Sequence, residues 1–95
     1  MIKKITQSKQ QAFCAYLIET ERSKATISKY IHDVSEFVKF IGKKDITKAL
    51  IVKFKSHLIE KFKPASVNSK LAAINCFLEF IERPDCKVKP LKLQL

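Results

Sequence analysis

Residues 25–41 read ATISKYIHDVSEFVKFI, and residues 65–81 read ASVNSKLAAINCFLEFI. The two phrases align without a gap at an offset of 40. Ala25/Ala65, Phe37/Phe77, Phe40/Phe80 and Ile41/Ile81 are identical; Thr26/Ser66, Ile27/Val67, Ile31/Leu71, Val34/Ile74 and Val38/Leu78 are conservative. Apolar residues recur at i, i+3, i+4 and i+7, the spacing of a helix that buries one face. Each phrase opens with hydroxyl, amide and lysine side chains and closes with apolar ones. A helix of that design buries its body and turns its first residues toward something anionic. Upstream, Phe13-Cys14-Ala15-Tyr16-Leu17-Ile18-Glu19 echoes Phe54-Lys55-Ser56-His57-Leu58-Ile59-Glu60 at an offset of 41. Two readings are open: a helical hairpin of about 40 residues present twice, or the apolar spacing that any two amphipathic helices share. A period of this size often marks a solenoid, but two copies fall short of the three or so that a solenoid core needs.

Working outward, four helices are expected. The first covers residues 8–21, with Phe13 and Leu17 joined by Tyr16 or Cys14 on one face. The second covers 24–41. Ser23 suits its N-cap, and Gly42, the only glycine, suits a left-handed residue just past its end. Its stripe is Ile27, Tyr30, Ile31, Val34, Phe37, Val38 and Ile41, with Ser28, Lys29, His32, Glu36 and Lys39 opposite. The third covers 48–62, capped by Thr47, with Ile46 and Ile51 at the spacing of a hydrophobic staple. Leu50, Phe54 and Leu58 face inward. The fourth covers 65–82, opened by Pro64 and stopped by Pro84. Val67, Leu71, Ile74, Leu78 and Ile81 form its core stripe. Ser69, Ala72, Ala73 and Cys76 form a small-residue face, suited equally to a tight helix contact or a nucleic-acid surface. Packing between the two matched helices is expected at Val34/Ile74 and Phe37/Phe77. From Asp85 on, basic and apolar residues alternate and the helical pattern fails. Residues 85–95 read as a short strand or a linker without a partner strand in this chain, so that the polypeptide continues or the tail docks on something else.

Composition bounds the rest. The 95 residues, 46% of them apolar, make one domain with a small core. One glycine and three prolines argue against an all-β fold with many tight turns. No apolar run reaches the 18 or so residues of a membrane span. Met1-Ile2-Lys3-Lys4 is followed by polar residues, not a secretory apolar core, so a cytoplasmic location is expected. Cys14, Cys76 and Cys86 are odd in number and far apart, and His32 and His57 have no neighbours at ligand spacing. No metal is expected; Cys14 and Cys76 read as small buried or boundary residues. No Gly-rich phosphate loop and no nucleophile–histidine–acid set is visible. Asp33 and Glu36 read as intrahelical partners for Lys29 or Lys39. No catalytic residue and no cofactor are therefore expected.

Charge points to binding instead. Nineteen Lys and Arg stand against nine Asp and Glu, a net charge of +10, and only Arg22 and Arg83 are arginines. Such an excess suits a polyanion partner, although a solvated lysine-rich surface gives the same count. The candidate contact residues are Lys24, Thr26, Ser28 and Lys29 at the start of the second helix. Lys63, Ser66, Asn68, Ser69 and Lys70 match them at the start of the fourth. Helix N-termini present unpaired N–H groups and a partial positive charge that suit phosphate. Lysines add salt-dependent attraction, and short polar side chains reach phosphates or base edges. The plainer account is that Ser23, Thr26 and Ser66 only cap helices.

At these residues the chain resembles the core-binding, or SAM-like N-terminal, domain of tyrosine recombinases and phage or transposon integrases. The pattern is Ser23-x-x-Thr26-x-x-x-Tyr30-x-x-x-Val34-x-x-Phe37-x-x-Phe40, then Ile46-Thr47 with Phe54 and Leu58. Pro64-Ala65-Ser66-Val67-Asn68 follows, leading to Leu71, Ile74, Phe77 and Phe80. The tail, Asp85-Cys86-Lys87-Val88-Lys89 and Leu91-Lys92-Leu93-Gln94, resembles the linker that integrases of Gram-positive mobile elements place before their catalytic domain. The resemblance implies an all-α, four-helix orthogonal bundle of two helical hairpins. It assigns residues 1–84 to a core-binding domain and 85–95 to a linker tail. It further implies that the second and fourth helices face duplex DNA for integration or excision of a mobile element. The family's tyrosine nucleophile and its arginine, lysine and histidine partners lie in a separate C-terminal domain, so this chain is expected to be non-catalytic. Tyr16 and Tyr30, both in apolar stripes, are core candidates. The implied partners are double-stranded DNA, the catalytic domain of the same polypeptide and other recombinase protomers. An arm-binding domain found in front of some integrases is not expected within these residues. A helical protein–protein module without DNA binding is the rival reading, with Phe40, Phe80 and the tail as exposed apolar surface. A membrane-surface helix is weaker, because mutual burial accounts for the apolar stripes.

Overall fold

Capping chemistry sets the element boundaries. The computed structural model describes residues 7–92. In chain order these form α1 (Gln7–Glu19), α2 (Lys24–Ile41), α3 (Lys48–Lys61) and α4 (Pro64–Phe80), followed by a 3-10 turn at Pro84–Cys86. The expected all-α class is what the described residues show. The Ser23 hydroxyl accepts from the Thr26 N–H at 3.1 Å and caps α2, and Thr47 caps α3 through the Leu50 N–H at 3.1 Å. Ile46 and Ile51 are both buried, as a staple requires. Lys63 occupies the N-cap of α4 without a side-chain bond, and Pro64 takes the first turn, where a missing N–H costs nothing.

Two helices end two residues sooner than their periodicity suggests, and α3 ends one sooner, at Lys61. α1 stops at Glu19 rather than 21, and α4 at Phe80 rather than 82. Both close in the same way. Arg22 N–H reaches back to the Leu17 carbonyl and Glu21 N–H to Ile18; Arg83 N–H reaches Leu78 and Glu82 N–H reaches Glu79. This is the Schellman pattern, with Glu21 (φ 59°) and Glu82 (φ 62°) in the left-handed position usually given to glycine. Gly42 does something different. Its φ of 58° is positive as expected, but its ψ is −122°, and Lys44 N–H bonds to Ile41 C=O at 3.1 Å. This is a type II′ turn with glycine at its first central position. An added Cβ at Gly42 meets nothing within 4 Å, so any penalty there is conformational. Gly42→Ala is expected to lower stability by about 1–2 kcal/mol, read from urea denaturation. An unchanged midpoint would mean that the turn relaxes freely.

The core is one cluster fed by every helix, and the broadest helix–helix contact is α2 on α4. Ala73, read as part of a separate small-residue face, is fully buried. Its methyl group lets backbones approach closely, which decides that position for helix packing. The rings of the two matched helices also pair with the first helix of the other hairpin. Phe77 meets Phe13 of α1 at 5.1 Å, and Phe37 meets Phe54 of α3, also at 5.1 Å. The crosswise pattern repeats. Phe13–Phe80 (5.5 Å) matches Phe54–Phe40 (5.1 Å), and Tyr16–Phe80 (5.0 Å) matches His57–Phe40 (4.9 Å). Phe13–Tyr16 (6.3 Å) likewise matches Phe54–His57 (6.2 Å). The partners sit at the offsets of 40 and 41 that relate the two halves of the sequence. Each hairpin thus gives its second helix to the ring cluster of the other hairpin's first helix, and the molecule has an internal two-fold design.

Residues 85–92 of the tail are part of the body of the protein, and 93–95 lie outside the described residues. Cys86 is fully buried, Val88 is buried, and Leu91 packs against the core. Beyond the 3-10 turn, residues 87–92 run back along α4 as an extended strap. Asn75 donates to the Val88 carbonyl at 2.8 Å and accepts from the Val88 N–H at 3.0 Å. Asn68 does the same to Leu91, at 2.8 and 2.6 Å. The spacing has a geometric cause. Seven helical residues rise about 10.5 Å, and three extended residues span about 10 Å, so the two amides meet positions 88 and 91 in register. Lys55 donates to the Lys89 carbonyl at 2.6 Å, and Lys48 donates to that of Lys87. The partner of residues 87–92 is therefore this chain itself, through side-chain amides and ammoniums, and not another strand or an external dock.

Candidate nucleic-acid interface

The residues singled out at the two helix starts separate into three groups. Lys29 and Lys70 converge: both bond to the carboxylate of Asp33, Lys29 to Oδ2 and Lys70 to Oδ1 at 3.3 Å. This links the early turns of α2 and α4. Lys70 also lies over the Phe62 ring, 4.7 Å from its centroid. Asp33 is 3% exposed, and its two partners offset the desolvation of its charge. Among the described residues no buried side-chain nitrogen or oxygen lacks a partner.

Lys24, Ser28, Lys63 and Ser66 form the second group and are exposed to solvent. Ser69 is half-buried. Because Lys63 is the N-cap without a side-chain bond, Ser66 does not cap α4. The third group has other duties. Thr26 joins the α2 cap, since its hydroxyl oxygen accepts from Ser23 at 2.9 Å. Asn68 spends its amide on the Leu91 backbone and faces the strap, a placement that removes it from the solvent-facing set.

Several contacts join residues far apart in the sequence. A cleft between α2, α3 and α4 is lined by Asp33, Glu36, Phe40, His57, Phe62 and Lys70. The Lys29–Asp33 contact was legible as an i, i+4 pair. Lys70, 37 residues away from Asp33, gave no such signal. Arg22 lies over the Tyr30 ring at 5.5 Å, and its guanidinium stands 3.9 Å from the Cys76 sulfur. Burial pushes the Cys76 thiol up, with Arg22 pulling the other way. Arg83 is a hub at the far end of α4. It holds Asp85 through Nε and Nη2, both at 3.1 Å, and donates to the Ile46 carbonyl at 3.1 Å. The Arg83 bond holds the Asp85 carboxyl below the usual carboxylate range, and burial pushes the Cys86 thiol up. Among the described residues no group of three or more His, Cys, Asp and Glu is placed to hold a metal ion. No described helix is long and apolar enough to cross a membrane.

Four helices paired crosswise, with two related polar starts, define a small all-α bundle. The chain matches the family model of the phage integrase N-terminal SAM-like domain over residues 11–84, and it belongs to that tyrosine recombinase family. The domain in question is not the catalytic one. No curated protein and no solved structure matches the chain.

Proposed function

We propose that this domain binds duplex DNA for a site-specific tyrosine recombinase, in the integration or excision of a mobile element. The duplex is clamped between this domain and a catalytic domain of the same polypeptide. The observation that carries the reading is the meeting of Lys29 and Lys70 at Asp33, which brings the polar starts of α2 and α4 together. Lys24, Ser28, Lys63 and Ser66, all exposed, extend the contact surface. Helix N-terminal N–H groups and ammoniums favour phosphate, so backbone contacts dominate and base readout is modest. Exposed Ile18, Val52, Ile59 and Phe62 give apolar points of contact for other recombinase protomers. The setting is the cytoplasm, where the DNA substrate lies.

Salt titration tests the reading. If about five phosphates are neutralised, log K falls with log salt at a slope near −4 to −5. Fluorescence anisotropy of a short labelled duplex measures it. A complex indifferent to salt, or no duplex binding at low salt, would sink the proposal.

A further inference from the structure

Asp33 is the one buried charged or polar residue among those described, at 3% exposure. Its two oxygens serve lysines from different helices, Lys29 on α2 and Lys70 on α4. The internal two-fold design supplies a control inside the molecule. At an offset of 40, the position of Asp33 is held by Ala73, which is fully buried, and that of Lys29 by Ser69. The fold fills the matching slot with a methyl group, so packing does not require a carboxylate at 33. A buried carboxylate with ammonium partners carries a desolvation cost that an apolar side chain avoids. The charge is explained by what it arranges.

It arranges a pair of cations. Two ammoniums bond to the two oxygens of one carboxylate, so a single buried anion fixes cations from two helices. Each has three N–H donors, so donors remain for a further acceptor. Lys29 stays 43% exposed and Lys70 21%, with Asp33 beneath them. An anion arriving from solvent meets the ammoniums first, and the triad carries a net positive charge. We propose that Asp33 is a positioning residue that presents Lys29 and Lys70 as one preordered dibasic site for a single backbone phosphate. This rests on the DNA-binding role proposed above. The lysine rotamer freedom that a phosphate would otherwise remove is already lost on folding.

The test turns on a sign. Asp33→Asn removes a negative charge from a DNA-facing surface, and Coulomb's law alone has it tighten binding. Positioning predicts the reverse. The salt slope becomes shallower by about 1, and affinity falls about eight-fold at 0.1 M salt, the effect of one lost phosphate contact. In a Lys29→Ala, Lys70→Ala background the same change should weaken binding no further, since nothing is left to position. Tighter binding by Asp33→Asn, or equal weakening in both backgrounds, overturns the proposal. If Asp33→Asn does not fold by circular dichroism, the lysines decide. One shared phosphate predicts that Lys29→Ala, Lys70→Ala and the double variant each lose about 1 from the slope, whereas a loss near 2 in the double means independent contacts and overturns it. Absence of duplex binding by the wild-type domain removes both proposals, and it is distinguished because it shows before any substitution.

Discussion

Replacing Phe13 with alanine is expected to cost about 3–5 kcal/mol, and replacing Phe54 nearly as much. Both rings are buried, at 0% and 3% exposure. Each stands at the centre of its ring cluster: Phe13 meets Phe77, Phe80 and Tyr16, and Phe54 meets Phe37, Phe40 and His57. Truncation removes the transfer term of a large side chain and leaves a cavity that three flat neighbours fill poorly. Ring contacts add about 0.5–1.5 kcal/mol per pair beyond burial. Small domains hold only about 5–15 kcal/mol in total, so either variant sits close to unfolding. Urea denaturation followed by circular dichroism measures both. Matched losses mean that the two-fold design extends to energy. A loss for one less than half that for the other means that the symmetry is of shape only.

Asn75→Ala should release the strap. It strips partners from both backbone groups of Val88, which is 7% exposed. Each group left buried and unpaired costs about 1–3 kcal/mol, so the docked state loses roughly 3 kcal/mol. Detachment lets Val88 recover its hydrogen bonds from water and carries Cys86 out of the core. Cys86 thus becomes the reporter. In a Cys14→Ser, Cys76→Ser background the buried thiol reacts slowly with a disulfide reagent, and Asn75→Ala should raise the rate at least about ten-fold, the ratio set by roughly 1.4 kcal/mol. Far-ultraviolet circular dichroism should stay near wild type, because no helix depends on the strap for its hydrogen bonds. An unchanged thiol rate would show the strap held by Asn68, Lys48 and Lys55 alone.

Particular residues explain what the sequence disclosed. The bounds of α2 agree with expectation because Ser23 and Gly42 mark both ends chemically and the stripe between them is regular. α1 and α4 were overrun by two residues because Glu21 and Glu82 occupy left-handed positions that glutamate does not advertise. The crosswise ring pairs are not legible in an alignment of the two repeats, because an alignment identifies equivalent residues and not contacts. The strap leaves no pattern in the sequence, for another reason. Its partners are backbone groups of residues 88 and 91, and an asparagine pair seven residues apart on a helix looks like any polar face. At the candidate interface, Lys29 and Asp33 were legible as helical neighbours, while the partners of Lys70 and Asn68 were not, since they lie 37 and 23 residues away. The family assignment over residues 11–84 agrees with the resemblance read from order and spacing.

The strap is also a fastener with a direction. It runs antiparallel to α4, so Leu91 lies beside Asn68, in the early turns of that helix. Tension applied at Lys92 along the helix axis loads the Asn68, Lys55 and Asn75 bonds together, in shear. Tension applied outward loads the Asn68 clamp first, then Lys55, then Asn75, and the strap peels one fastening at a time. The same few hydrogen bonds therefore resist a pull along the domain far better than a pull away from it.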